Sequence, residues 1–253
     1  MLDEYIIRAI IAIILLSINA SLSGSFTIFK NIPFLIACSA HSALAGASLF
    51  IAISLNPIIG AIIFAIFVAL IAGRAKQVNI AIGISFAFSM AIAVLFISLI
   101  REQAARVWGL LFGDLLLLTD EDIFLMAIMT VVLLIIYLIF YREFLFISFD
   151  MEGAMVQGIN VKFFNYLLLS IISISTVIIM KAIGAILVYA MLVAPAGAAN
   201  KKANNIMQVF IFATLIAMIA GFLGLIISFY FPFSPSAISG LIATSIYFIL
   251  FMK

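Results

Sequence analysis

The sequence predicts an all-α, polytopic integral membrane helix bundle with about eight to nine transmembrane segments. Three observations carry this. Of 253 residues, 68% are hydrophobic and only 9% charged, against roughly 25% charged in a soluble domain. So few charges cannot build a water-facing surface, and the apolar excess must face lipid. The apolar residues also fall into runs close to the ~20 residues that carry a helix across the hydrocarbon core. These runs are too long, and alternate too little, for the strands of a membrane barrel.

Polar breaks divide the chain into nine apolar segments: 5–29, 34–54, 57–72, 79–100, 123–141, 163–180, 182–199, 206–231 and 237–252. The third, seventh and ninth are short, as expected of spans that tilt little or are partly re-entrant and buried in protein. The start, Met1-Leu2-Asp3-Glu4, is acidic where a secretory signal is basic, so the first run reads as a span of the mature protein. Basic residues in short loops set the orientation. With the N-terminus outside, Lys30, Arg74, Lys76, Arg142, Lys162, Lys201, Lys202 and Lys253 lie inside, against Arg8, Arg101, Arg106 and Lys181 on the outer side.

Two hydrophilic stretches interrupt the spans. The outer one, 101–122, has an apolar middle, LLFGDLLLL, expected to lie in or dip into the interface with Trp108 at headgroup depth and Asp114 as a capping residue. The inner one, about 142–162, is the longest cytoplasmic loop. Within it Asp150 caps a short helix that stops at Gly158, which takes the left-handed conformation. Such a helix is either a docking element for a soluble partner or a plain connector.

What is absent excludes several functions. No G-x-x-x-x-G-K-[ST] loop is present, so the chain does not itself hydrolyse ATP. There is no H-E-x-x-H and no pair of aspartates within spans, so the chain is not read as an enzyme. A net charge of +2 gives no basis for nucleic-acid binding. The buried carboxylates of an ion-coupled carrier are missing as well. Energy for active transport must come from elsewhere.

The single histidine, His41, lies inside the second segment, three residues after the single cysteine, Cys38. A neutral imidazole is the commonest transition-metal ligand, though a neighbouring helix backbone could equally satisfy it. A free cysteine is most often a small buried hydrophobe. Small residues around His41 permit close helix approach or a narrow pathway. In the seventh segment Pro195 frees a carbonyl in the preceding turn, so a kink there must face protein or a wet cavity.

Four stretches in order resemble the membrane permease subunit of prokaryotic ABC importers for zinc, manganese or ferrous iron. They are GSFTIFKNIPF with AHSALAG (24–34 and 40–46), NIAIGISFAFSMAIAVL (79–95), LFGDLL (111–116) and KAIGAILVYAMLVAPAGAA (181–199). The loop SFDMEGAMVQGINV, 148–161, is similar to the family's docking loop. The resemblance implies one transmembrane permease domain over 1–253, in the cell membrane of a prokaryote. It implies a second copy of the chain, cytoplasmic ATP-binding subunits and an extracytoplasmic metal-binding protein as partners. It implies ATPase docking through Asp150, Glu152, Ala154 and Gly158, with Ala154 small enough to let a partner approach, and a pathway with a kink at Gly184 and Pro195. No cofactor is expected to be bound permanently; the metal ion is cargo. A metal chelate is the alternative cargo.

The chain departs from the family at one point. An aspartate typically stands four residues before the histidine, and here that position is Ala37. Two copies paired at the second segment would instead present two Cys38 and two His41, a soft set suited to zinc-like ions rather than manganese.

Overall fold

The computed structural model describes residues 4–100, 109, 111–113 and 115–251, which are helical with no strand among them. Arg101, Arg106, Trp108, Asp114 and Lys253, to which the sequence assigns a side of the membrane, a depth or a cap, lie outside the described residues.

Each of the nine apolar segments holds a helix, and seven segments are long and apolar enough to cross a membrane. The first is composite. Helix α1 (Glu4–Asn19) passes through a π-helical turn, Ala20–Gly24, into α2 (Ser25–Phe29). Side chains at the turn engage other groups. Asn19 Nδ2 donates to the Leu15 carbonyl, one turn back, and to Thr130 Oγ1, both at 2.8 Å. Ser21 Oγ donates to the Phe210 carbonyl at 2.6 Å. Such competition with the backbone ladder is a known cause of local irregularity in a helix.

A turn with Asn31 at φ 55° leads into α3 (Phe34–Ala52). Asn56 Oδ1 accepts from Ile58 N at 2.9 Å and, with Pro57 in the first turn, starts α4 (Pro57–Arg74). Helices α3 and α4 cross at Gly46 and Gly60, where a Cβ on either would meet the other's carbonyl oxygen at 2.1 and 2.3 Å. That approach supplies the dispersion contacts that hold helices together where lipid removes the hydrophobic drive. Helix α5 (Val78–Leu99) packs along α3.

Helix α6 (Asp120–Ile139) starts on a capping box: Thr119 Oγ1 accepts from Asp122 N, and Asp122 Oδ2 accepts from Thr119 N. The stretch expected on the inner side folds as α7 (Tyr141–Phe149) and α8 (Met151–Val156). Helix α9 (Val161–Ile183) runs through the middle of the molecule, touching both the α3–α4–α5 group and the α1 segment. It ends at Gly184, φ 85°, and the chain turns into α10 (Val188–Lys202). Helices α11 (Ile206–Tyr230) and α12 (Pro235–Phe251) form a final hairpin against α10. The boundary expected at 180–182 therefore lies later. Lys181 is in the last turn of α9, where its charge suits the helix C-terminus, and the glycine sets the break.

Candidate functional site

Helix α3, which bears Cys38 and His41, is among the two most buried spans, 72% of its residues being inside. Phe34 and His41, two helical turns apart, are partly open, and every other residue from Leu35 to Ser48 is buried. Both candidate ligands face α5, one turn apart, but they differ in burial and partner. Cys38 is fully buried, and its thiol donates to the Ile82 carbonyl of α5 at 3.2 Å. His41 is half-buried, and its ring meets Phe86 edge-on at 4.9 Å between centroids. Its Nδ1 is buried and unpartnered, one of three such side-chain atoms among the described residues, with Ser25 Oγ and Asn165 Oδ1. A buried ring nitrogen without a partner is costly and calls for an explanation such as a water or an ion. Beyond His41, a separate apolar cluster of Leu44, Ala45, Ile51 and Ala93 closes the outer half of α3 against α5. Within one chain, no group of three or more His, Cys, Asp or Glu side chains is placed to hold a metal among the described residues.

Two motifs far apart in sequence meet where α9 ends. Gly113, φ 58°, and Gly184, φ 85°, touch backbone to backbone, a Cβ on Gly113 falling 2.1 Å from Gly184 N. Ile186 N donates to the Leu111 carbonyl at 3.3 Å. Left-handed backbone and the absence of a side chain both require glycine at this corner. Pro195 lies buried within α10. Within one turn of it, α10 meets the π-helical turn, where Gly24 lies so close that a Cβ would be 2.1 Å from the Leu192 carbonyl oxygen.

In the loop between α6 and α9, Asp150 caps α8 by accepting from Gly153 N at 2.8 Å. A Cβ at Gly153 would lie 2.2 Å from that carboxylate, so the cap depends on a glycine that spacing did not single out. Gly158, φ 82°, ends the segment as expected. The expectation for Ala154 is corrected: it is fully buried within the chain, because its face of α8 turns toward the bundle. The outward face carries Met151, Glu152, Met155 and Val156, the last 88% exposed. Behind it sits an aromatic cluster. Phe26 stacks on Tyr137 at 5.3 Å and meets Phe144 of α7 and Phe210 of α11 at 6.0 and 5.7 Å. Tyr137 Oη shares a 3.1 Å hydrogen bond with Ser23 Oγ in the π-helical turn. Lys30 Nζ donates to the Ile147 carbonyl of α7 at 3.3 Å, and burial lowers its pKa to about 8.

Together, the long apolar helices and the broken α9–α10 pair describe a multi-pass membrane protein, and comparison places it among the plasma-membrane permeases of bacterial ABC importers. The particular family follows from comparison: residues 2–253 match the model of the ABC 3 transport family, and the chain belongs to it. It is 30% identical over 254 residues to "Manganese transport system membrane protein MntC" of Listeria monocytogenes, covering 98% of this chain and 90% of that one. It is 29% identical over 231 residues to "Manganese import system permease protein ScaB" of Streptococcus parasanguinis, covering 89% and 82%. Among solved structures, PsaBC from Streptococcus pneumoniae in complex with Fab superposes with a TM-score of 0.88 at 28% identity, covering 99% and 92% of the two chains. An inward-facing, putative metal-chelate type ABC transporter shares the fold, with a TM-score of 0.76 at 16% identity.

Proposed function

We propose that this chain is the permease subunit of an ATP-driven importer for a divalent transition metal, and that the metal is manganese. The observation that carries the site is the buried, unpartnered Nδ1 of His41, whose side chain is the only half-buried one between Leu35 and Ser48. The choice of manganese is supported by the names of the relatives. The softening expected from Ala37 depended on a Cys38 thiolate. With that thiol engaged by the α5 backbone, imidazole and oxygen donors remain, a harder set than cysteine provides.

The assembly is two copies of this single permease domain with two cytoplasmic ATP-binding subunits, fed by an extracytoplasmic metal-binding protein. The chain performs no chemistry of its own. ATP-driven movement enters at the α8 face, held in shape by Asp150, Gly153 and Gly158 and presenting Glu152 outward. It reaches the spans through α7 and the Phe26–Tyr137–Phe144 cluster, and then the Gly24–Leu192 contact beside Pro195. Gly184 holds the outer corner of the pathway. His41 from each copy offers a weak ligand at the seam, because a tight site would trap the ion. The test is ATP-dependent uptake of manganese(II) into vesicles containing the complete complex. His41→Ala should abolish uptake with assembly intact, and Cys38→Ser should leave it within about twofold. Normal uptake by His41→Ala rejects the site. Uptake of zinc that manganese does not compete rejects the cargo.

A further inference from the structure

An apolar cavity of about 460 Å³ opens between α4 and α6, with α9 as its floor. Its walls include Ala47, Ile58, Ala61, Met126, Met129 and Ile178. The ends of all three helices that meet at its rim bear polar groups: Asn56 at the start of α4, Asp122 at the start of α6 and Lys181 at the end of α9. Lys181 Nζ pairs with Asp122 Oδ1. The carboxylate is nearly enclosed, 11% exposed, whereas the lysine side chain is 40% exposed. Asp122 is further occupied by the Thr119 backbone N–H, while an ammonium has three donors. Unused donor capacity at the rim therefore belongs to the cation.

We infer that this cleft is a binding site for a glycerophospholipid of the adjoining leaflet, its acyl chain in the cavity and its phosphate on Lys181. Three arguments favour this occupant. Water does not fill a cavity lined by Ile, Ala and Met side chains, because it finds too few polar partners there. The cleft lies between helices whose outer faces, Ile59 and Ile63 on α4 and Phe124 and Ile128 on α6, are exposed hydrophobics at membrane level, so hydrocarbon is what adjoins it. The charge order agrees too: a helix end and a lysine lie where the membrane interface puts a phosphate, and Asn56, whose Oδ1 is taken by Ile58 N, keeps its amide N–H groups to donate.

The test is native mass spectrometry of the intact complex after exchange into detergent that strips surrounding lipid, with phosphatidylglycerol as the added probe. The wild type should retain one phospholipid per permease chain. Ile58→Trp, which fills the mouth, and Lys181→Gln, which removes the cation, should each reduce retention at least tenfold, with Lys181→Arg restoring it. Equal retention by wild type and both variants, or none by the wild type, overturns the site. A cysteine at position 58, in a Cys38→Ser background, that cross-links two copies in the membrane also overturns it, in favour of a protein occupant.

Discussion

A methyl group placed on Gly24 would enter a close contact between the π-helical turn and α10. The new Cβ would lie 2.1 Å from the Leu192 carbonyl oxygen and 3.1 Å from Ala196 Cβ. The first distance is about 1.3 Å closer than the 3.4 Å of ordinary contact. The obstacle is backbone, so no rotamer change relieves it. Either α2 or α10 must move, and overpacking of this kind costs about 1–3 kcal/mol. For a chain of this size that is a fall in Tm of about 3–10 °C. Gly83→Ala is the matched control: it too is a helical glycine in a span, but a Cβ there meets nothing within 4 Å. Helix propensity alone then applies, a gain of roughly 0.5–1 kcal/mol. Both variants should be compared by thermal unfolding of the purified complex and by vesicle uptake. Gly24→Ala should lose stability, and uptake should fall further than stability accounts for, while Gly83→Ala should match or exceed the wild type in both. Equal behaviour of the two refutes the close contact as a structural requirement.

Three further outcomes are expected. Asp150→Ala removes the α8 cap, about 1 kcal/mol of local helix stability, and should weaken co-purification of the ATP-binding subunit. Asp150→Asn, which still accepts from Gly153 N, should restore it. Lys30 has a pKa lowered to about 8 by burial, from 10.5. The unfolded chain thus binds more protons between those values, and stability should rise as pH increases from 8 toward 10.5; Lys30→Met should flatten that rise in a thermal-unfolding series. Met155, 64% exposed on α8, is expected on the cytoplasmic side, so Met155→Cys with Cys38→Ser should react with an impermeant thiol reagent in inverted vesicles and stay protected in intact cells.

Hydropathy located the helices because it reports which residues can sit in lipid, and all nine apolar segments contain one. It placed the break near 181 rather than Gly184, since a lysine marks a polar position and not a helix end. It had no means of finding the π-helical turn, because Asn19, Ser21 and Ser23 act through partners on α6 and α11 more than a hundred residues away. The motifs LFGDLL and KAIGA were both visible, yet the contact between Gly113 and Gly184 is a tertiary fact that neither word contains. His41 was legible as the lone ionisable ring in a span. That Cys38 is sealed against the α5 backbone while His41 on the same face stays half-buried was not, since spacing along one helix does not report depth of burial. Ala154 failed for a similar reason: six residues of helix fix a periodicity but not which face turns inward.

The hydroxyl pairs of the spans bear on how such a bundle moves. Ser39 and Ser173 join α3 to α9 at 2.8 Å, and Ser42 and Ser89 join α3 to α5 at 2.6 Å. A helical serine that loses its partner can turn to the carbonyl one turn back, as Ser17 and Thr176 already do. No orphan donor is then left in a medium without water. Asn19 is different: it holds Leu15, Thr130 and Ser175 at once, and no single carbonyl can replace all three. Friction in this protein is therefore uneven. The seams of α3 can slide between equivalent hydrogen-bonded registers, while α1, α6 and α9 are pinned together as the frame against which they slide.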